Sequence, residues 1–93
     1  MVVSVLEVEI YMPFSNSLKE KRRIINSIKD RISNKFNVSI AEIDYNDTWR
    51  RSKMAFAIVS NNVNYNNRKL LEILRLLEEG RDYEVLRHRV HYF

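Results

Sequence analysis

Ninety-three residues suffice for one small two-layer core and are too few for that core plus a separate catalytic domain. Sixteen Lys and Arg against twelve Asp and Glu give a formal charge of +4, which permits an anionic partner without demanding one. With no cysteine, thiol catalysis, disulfides and thiolate metal sites are excluded, and a reducing compartment, the cytoplasm, is the expected location.

The apolar start from Met1 to Leu6 is interrupted by Glu7 and Glu9, so it serves neither as a signal-peptide core nor as a membrane span. It reads as a strand, with Leu6, Val8, Ile10 and Met12 toward the core and Val5, Glu7, Glu9 and Tyr11 away from it. Pro13 stops this strand, and Ser17 with Glu20 forms a capping box for a helix. Leu18, Ile25, Ile28 and Ile32 make its apolar stripe, with Ile24 on the flank and an end near Asn34 to Asn37. Its opening run, Lys19, Glu20, Lys21, Arg22, Arg23, sets four cations at the helix end that favours anions. That placement is slightly costly in the free protein and points to a phosphate backbone or another acidic partner.

Phe36 to Tyr45 forms a second strand whose inward parity shifts near Ala41 and Glu42, as a bulge would make it. Asn46 and Asp47 mark a turn. Arg51 to Ser60 resumes as a strand with Met54, Phe56 and Ile58 on one side and Lys53, Ala55, Ala57 and Val59 on the other, a pattern suited to a central position. Asn61 to Asn67 is read as a polar connector with several possible helix caps. A second helix follows, with Leu70, Ile73, Leu74 and Leu77 buried and Gly80, the sole glycine, as a left-handed C-cap. Tyr83 to Phe93 alternates as a last strand: Leu86 and Val90 are expected in the core, with Tyr92 sharing their side. Val85, Arg87, Arg89, His91 and Phe93 lie on the other side.

One domain over residues 1–93 is expected. The order strand, helix, strand, strand, helix, strand packs as an α+β, ferredoxin-like βαββαβ two-layer sandwich, a four-stranded antiparallel sheet with two helices on one face. On its open face Glu7 and Glu9 would stand beside Arg87 and Arg89, where cross-strand pairing is the plain expectation.

Four segments in this order, Ser17 to Arg22, Phe36 to Glu42, the Asp47 to Trp49 turn and Val59-Ser60-Asn61, resemble the YlxP-like family of unknown function over nearly the whole chain. The resemblance implies a ferredoxin-like fold. In bacteria the family's genes often stand among those for transcription and translation factors, including a ribosome-binding factor with a KH-like fold, which implies ribosome- or RNA-linked work. Tyr45 and Asn46 occupy a turn that often holds histidine in relatives, so no histidine-dependent role carries over.

The topology brings the start of the first helix and the turn after the second strand to one end. Lys19, Lys21, Arg22 and Arg23 are therefore expected to join Arg50 and Arg51 in one basic patch for structured RNA or the ribosome, against the alternative of a solubilising face paired with Glu42, Asp44 and Asp47. Lys21 is its least secure member, because its stem lies beside the apolar stripe. Trp49 and Tyr45 are the candidate partner anchors, with packing of Trp49 against the sheet end or a second subunit preferred to base stacking. Ala55 and Ala57 replace the open-face aromatics of the usual RNA-binding module on this fold, and no glycine-rich loop supports a KH clamp.

Two histidines on opposite strand faces do not make a zinc site, and no cofactor is expected. Ser39, Ser52 and Ser60 lack a histidine–acid relay, Pro13 to Asn16 is a poor phosphate cradle, and no catalysis is assigned. Val3, Val5, Tyr11, Ala55, Ala57, Val59, Val85 and Phe93 form a semi-apolar open face expected to be buried in a homodimer.

Overall fold

Leu6, Val8, Ile10 and Met12 are all fully buried, as the period-two pattern of the first strand requires. The computed structural model describes all 93 residues, Met1–Phe93, as β1 (Val2–Tyr11), α1 (Leu18–Ser33), β2 (Ser39–Asp44), β3 (Arg51–Ser60), α2 (Val63–Glu78) and β4 (Glu84–Tyr92). The strands pair antiparallel in the order β2-β3-β1-β4, with the core between the sheet and the two helices. This is the ferredoxin-like βαββαβ sandwich.

Each helix starts where a side chain satisfies the free amides of its first turn. Ser17 Oγ accepts from Glu20 N at 3.1 Å, while the Glu20 carboxylate takes the N–H of Asn16, one residue before the cap. Asn62 Oδ1 accepts from Asn64 N and Tyr65 N, so α2 begins inside the asparagine-rich run read as a connector. Asn66 from that run is wholly buried. Its amide donates to Ser4 Oγ and to the Val2 carbonyl and its Oδ1 accepts from Ser60 Oγ, tying α2 to both central strands.

Three expectations need correction. Gly80 has no left-handed backbone: α2 ends through Glu79 in right-handed geometry, and glycine is required because a Cβ there would lie 2.1 Å from the ring of buried Tyr83. Leu86 and Val90 are exposed, and Tyr83 and Val85 pack on the core instead. The register shift opposite Glu9 and Ile10 explains Leu86 and Val85: Glu9 faces Arg87 but Ile10 faces Val85, so a bulge at Leu86 swings Val85 to the helix side, out of the expected open-face set, whereas Val90 keeps its place opposite Leu6 and is exposed because β4 is an edge strand. The bulge of β2 falls at Ile43, which it leaves exposed while Ile40 packs inward.

Candidate nucleic-acid interface

The outer face of α1 carries Lys19, Arg22 and Arg23 at i, i+3 and i+4, side by side on the helix surface. All three are exposed and none makes an ion pair. Arg50 joins this end from the β2–β3 loop. Its Nε donates to the Ser15 carbonyl at 3.1 Å and its Nη2 to Asn16 Oδ1 at 3.0 Å, latching the loop to the start of α1.

Lys21 does not belong to this surface. It heads the buried stripe that continues through Ile25, Ile28 and Ile32, leaving Leu18 exposed instead. Its ammonium pairs with Glu42 at 3.1 Å and donates to the Tyr45 carbonyl at 2.5 Å. Tyr45 stands in the left-handed region at φ 61°, which turns that carbonyl toward the lysine. Arg51 is separated too, because strand alternation places it on the open sheet face, where it pairs with Glu9 and lies 4.9 Å over the Tyr45 ring. Glu9's hydrogen bond and charge raise the pKa of this guanidinium. The expected six-residue patch therefore divides: Lys19, Arg22, Arg23 and Arg50 at one end, Lys21 inside, and Arg51 on another face.

Trp49 is 51% exposed and so packs less than anticipated, while Tyr45 is half-buried beneath Arg51. Sequence reading missed Phe14. It is 79% exposed in the β1–α1 loop and lines, with Arg23 and Ile24, a cleft of about 280 Å³ that also holds Glu20 and Asp82. An aromatic directly after a strand-ending proline was the available signal.

On the open sheet face Glu7 and Glu9 stand beside Arg87 and Arg89, as expected, and the register puts Glu7 opposite Arg89 and Glu9 opposite Arg87. The ion pairs run elsewhere. Glu7 pairs with Lys53 at 3.3 Å and Glu9 with Arg51, while the His91 ring lies at hydrogen-bond distance, 3.0 Å, from Glu7, all diagonal to the register. Burial pushes Glu7 up, but hydrogen bonds and charge from Lys53 and His91 outweigh it and hold the carboxyl below its ordinary range. Arg87 and Arg89 remain exposed beside a groove of about 440 Å³, with no ion partner. Val3, Val5, Ala55 and Ala57 form a half-buried apolar area further along this face; Val59 and Phe93 at its end are exposed, and Tyr11 is half-buried at the charged end.

No three histidine, aspartate or glutamate side chains converge in a metal-binding group, and no helix is long and apolar enough to cross a membrane. A family profile described as "Protein of unknown function (DUF503)" matches residues 3–90. The chain is 35% identical over 92 residues to the "Uncharacterized protein YlxP" of Bacillus subtilis (strain 168), covering 99% of this chain and 100% of that protein. Among solved structures it is similar, at a TM-score of 0.43 and 9% identity, to LarC2, the C-terminal domain of a cyclometallase involved in the synthesis of the NPN cofactor of lactate racemase. That alignment covers 100% of this chain and 56% of the other, and a likeness so distant transfers nothing between them. The profile and the full-length relative agree: this chain belongs to the DUF503/YlxP family.

Proposed function

We propose that the protein is a non-catalytic cytoplasmic module that contacts structured RNA, on or beside the ribosome, through the outer face of α1. The reading is carried by Lys19, Arg22 and Arg23, three exposed cations on one helix face, none of them in an ion pair, although Glu20 and Asp82 share the cleft beside Arg23. Ammonium and guanidinium groups in such a row meet phosphates with little sequence preference. Arg50 extends the row, and the exposed rings of Phe14 and Trp49 at the same end supply surfaces for unpaired bases.

The test is retention of a folded RNA hairpin across a salt series by wild type and a K19Q/R22Q/R23Q variant. Loss of three phosphate contacts should weaken retention at low salt and reduce the slope of log affinity against log salt by about 2–3. Equal retention by both proteins, or retention by neither, would sink the reading.

A second reading has its own observation. Val59 and Phe93 are exposed at the end of the apolar part of the open sheet face, an arrangement that a second copy would cover. Light scattering should then give a mass that rises toward twice the monomer with concentration, and Val59→Lys should abolish the rise. A wild-type mass that stays monomeric rejects this dimer.

A further inference from the structure

β4 is an edge strand, and its free side differs in character above and below the sheet. The N–H and C=O groups of Phe93 and Val3 bond each other reciprocally, so by the alternation of an antiparallel ladder those of Arg87, Arg89 and His91 also turn toward β1. The backbone groups of His88, Val90 and Tyr92 then point outward, with no strand to meet them. This is the row of donors and acceptors on which an added strand forms.

Above that edge, on the helix side, lies an apolar shelf. Val90 is 37% exposed, and Tyr92 is anchored by its hydroxyl, which donates to Asn67 Oδ1 at 2.9 Å. α2 runs antiparallel to β4, so Leu71, one turn beyond Asn67 and 47% exposed, stands level with Val90. Below the edge, on the open face, Arg87 and Arg89 are exposed and unpaired, because Arg51, Lys53 and His91 already occupy the acids of β1.

The geometry points to the outer edge of β4 as a docking site for an extended segment of a partner protein that alternates acidic and apolar residues and adds to the sheet as a fifth strand. Side chains of a paired strand project alternately to the two faces, so its apolar residues would lie on the shelf of Val90, Tyr92 and Leu71 while its carboxylates reach Arg87 and Arg89. The inner neighbour of β4 already has this pattern: Leu6, Glu7, Val8, Glu9 and Ile10 of β1. A second copy's β4 supplies no carboxylate to these arginines: pairing about His88 would set Arg87 against Arg89, and pairing about Val90 would set Arg89 against His91 and Arg87 against Phe93. The β2 edge of another copy offers a single acid free of ion pairs, Asp44 at its end, because Glu42 is already engaged by Lys21 and Ser52. The site is separate from the α1 face and stands whether or not that face binds RNA.

The probe is a fluorescein-labelled seven-residue peptide alternating glutamate with valine, followed by anisotropy and by amide exchange on the intact protein. Its controls are the same peptide with lysine for glutamate and one of equal composition with its glutamates grouped. The alternating acidic peptide should bind at least tenfold more tightly than either and protect the amides of His88, Val90 and Tyr92. His88→Pro removes an outward N–H that the β1 ladder does not use, and should cost tenfold or more in affinity with an unchanged urea midpoint. Leu71→Ser, on an exposed helix position, should weaken binding severalfold. R87E/R89E should transfer preference to the lysine peptide, while K19Q/R22Q/R23Q should leave affinity unaltered. Equal binding of the grouped peptide, full affinity in both His88→Pro and Leu71→Ser, or no binding of the alternating peptide would each overturn the proposal.

Discussion

Lys21 of α1 and Glu42 of β2 form an ion pair at 3.1 Å, with the lysine side chain only 3% exposed. The same ammonium holds the Tyr45 carbonyl, and Glu42 also accepts from Ser52 Oγ at 2.6 Å, so a single buried cation joins α1, β2 and the following loop. Removing one partner of such a pair leaves the other desolvated and uncompensated. Lys21→Ala should therefore cost about 3 kcal/mol in urea denaturation. RNA retention per folded molecule should not change, which separates this lysine from Lys19, Arg22 and Arg23; a stable Lys21→Ala protein with lost retention would contradict the assignment.

Gly80 and Tyr83 should behave as a coupled pair. A methyl group at residue 80 meets ring carbons rather than a flexible chain end, and the ring is held by a hydrogen bond of 2.7 Å from Arg31 to its hydroxyl. Gly80→Ala is expected to lose about 1–3 kcal/mol through overpacking. In a Tyr83→Leu background most of that loss should vanish, a coupling read from the double-mutant cycle. Additive costs would show that the ring is not the obstacle.

Asn66 tests the polar tie between α2 and the sheet. Asn66→Asp keeps the shape but removes both amide donors to Ser4 and Val2 and places a carboxylate where the side chain is wholly buried. The expected loss is about 3 kcal/mol, at the upper end for an unsatisfied buried group because the replacement is ionisable. Stability measured across pH should recover partly in acid, where the new carboxyl is neutral and able to donate; a variant as stable as wild type at neutral pH would refute the role.

Acid sensitivity should arise in part from Glu7. Its carboxyl lies below the ordinary range in the folded protein because Lys53 and His91 outweigh its burial. A depressed folded pKa contributes stability above the unfolded value of about 4.3, and that contribution fades as pH falls through the folded value. Wild type should thus lose stability below about pH 4 more steeply than Glu7→Gln. Parallel stability–pH curves for the two proteins would remove Glu7 as a contributor.

The elements and most of their faces were legible in the sequence because their signals are local. A period of two in β1 and β3, the apolar spacing of α1 and α2, the Ser17 cap and the stop at Pro13 each operate within a few residues. Even the placing of Glu7 and Glu9 beside Arg87 and Arg89 followed from the fold's strand order, although their register did not. The fate of individual charges did not. Lys21 is buried because β2 brings Glu42 over its stem, and Arg51 leaves the α1 cluster because its strand parity turns it to the other face. One bulged residue, Leu86, sends Val85 to the core side, and the edge position of β4 leaves Val90 uncovered. Long charged side chains select diagonal partners across neighbouring strands, so Arg51, Lys53 and His91 claim the two glutamates and Arg87 and Arg89 go without. Those choices depend on which chain segments stand a few ångströms apart, a distance that spacing along the sequence does not encode and only the assembled sheet and helices decide.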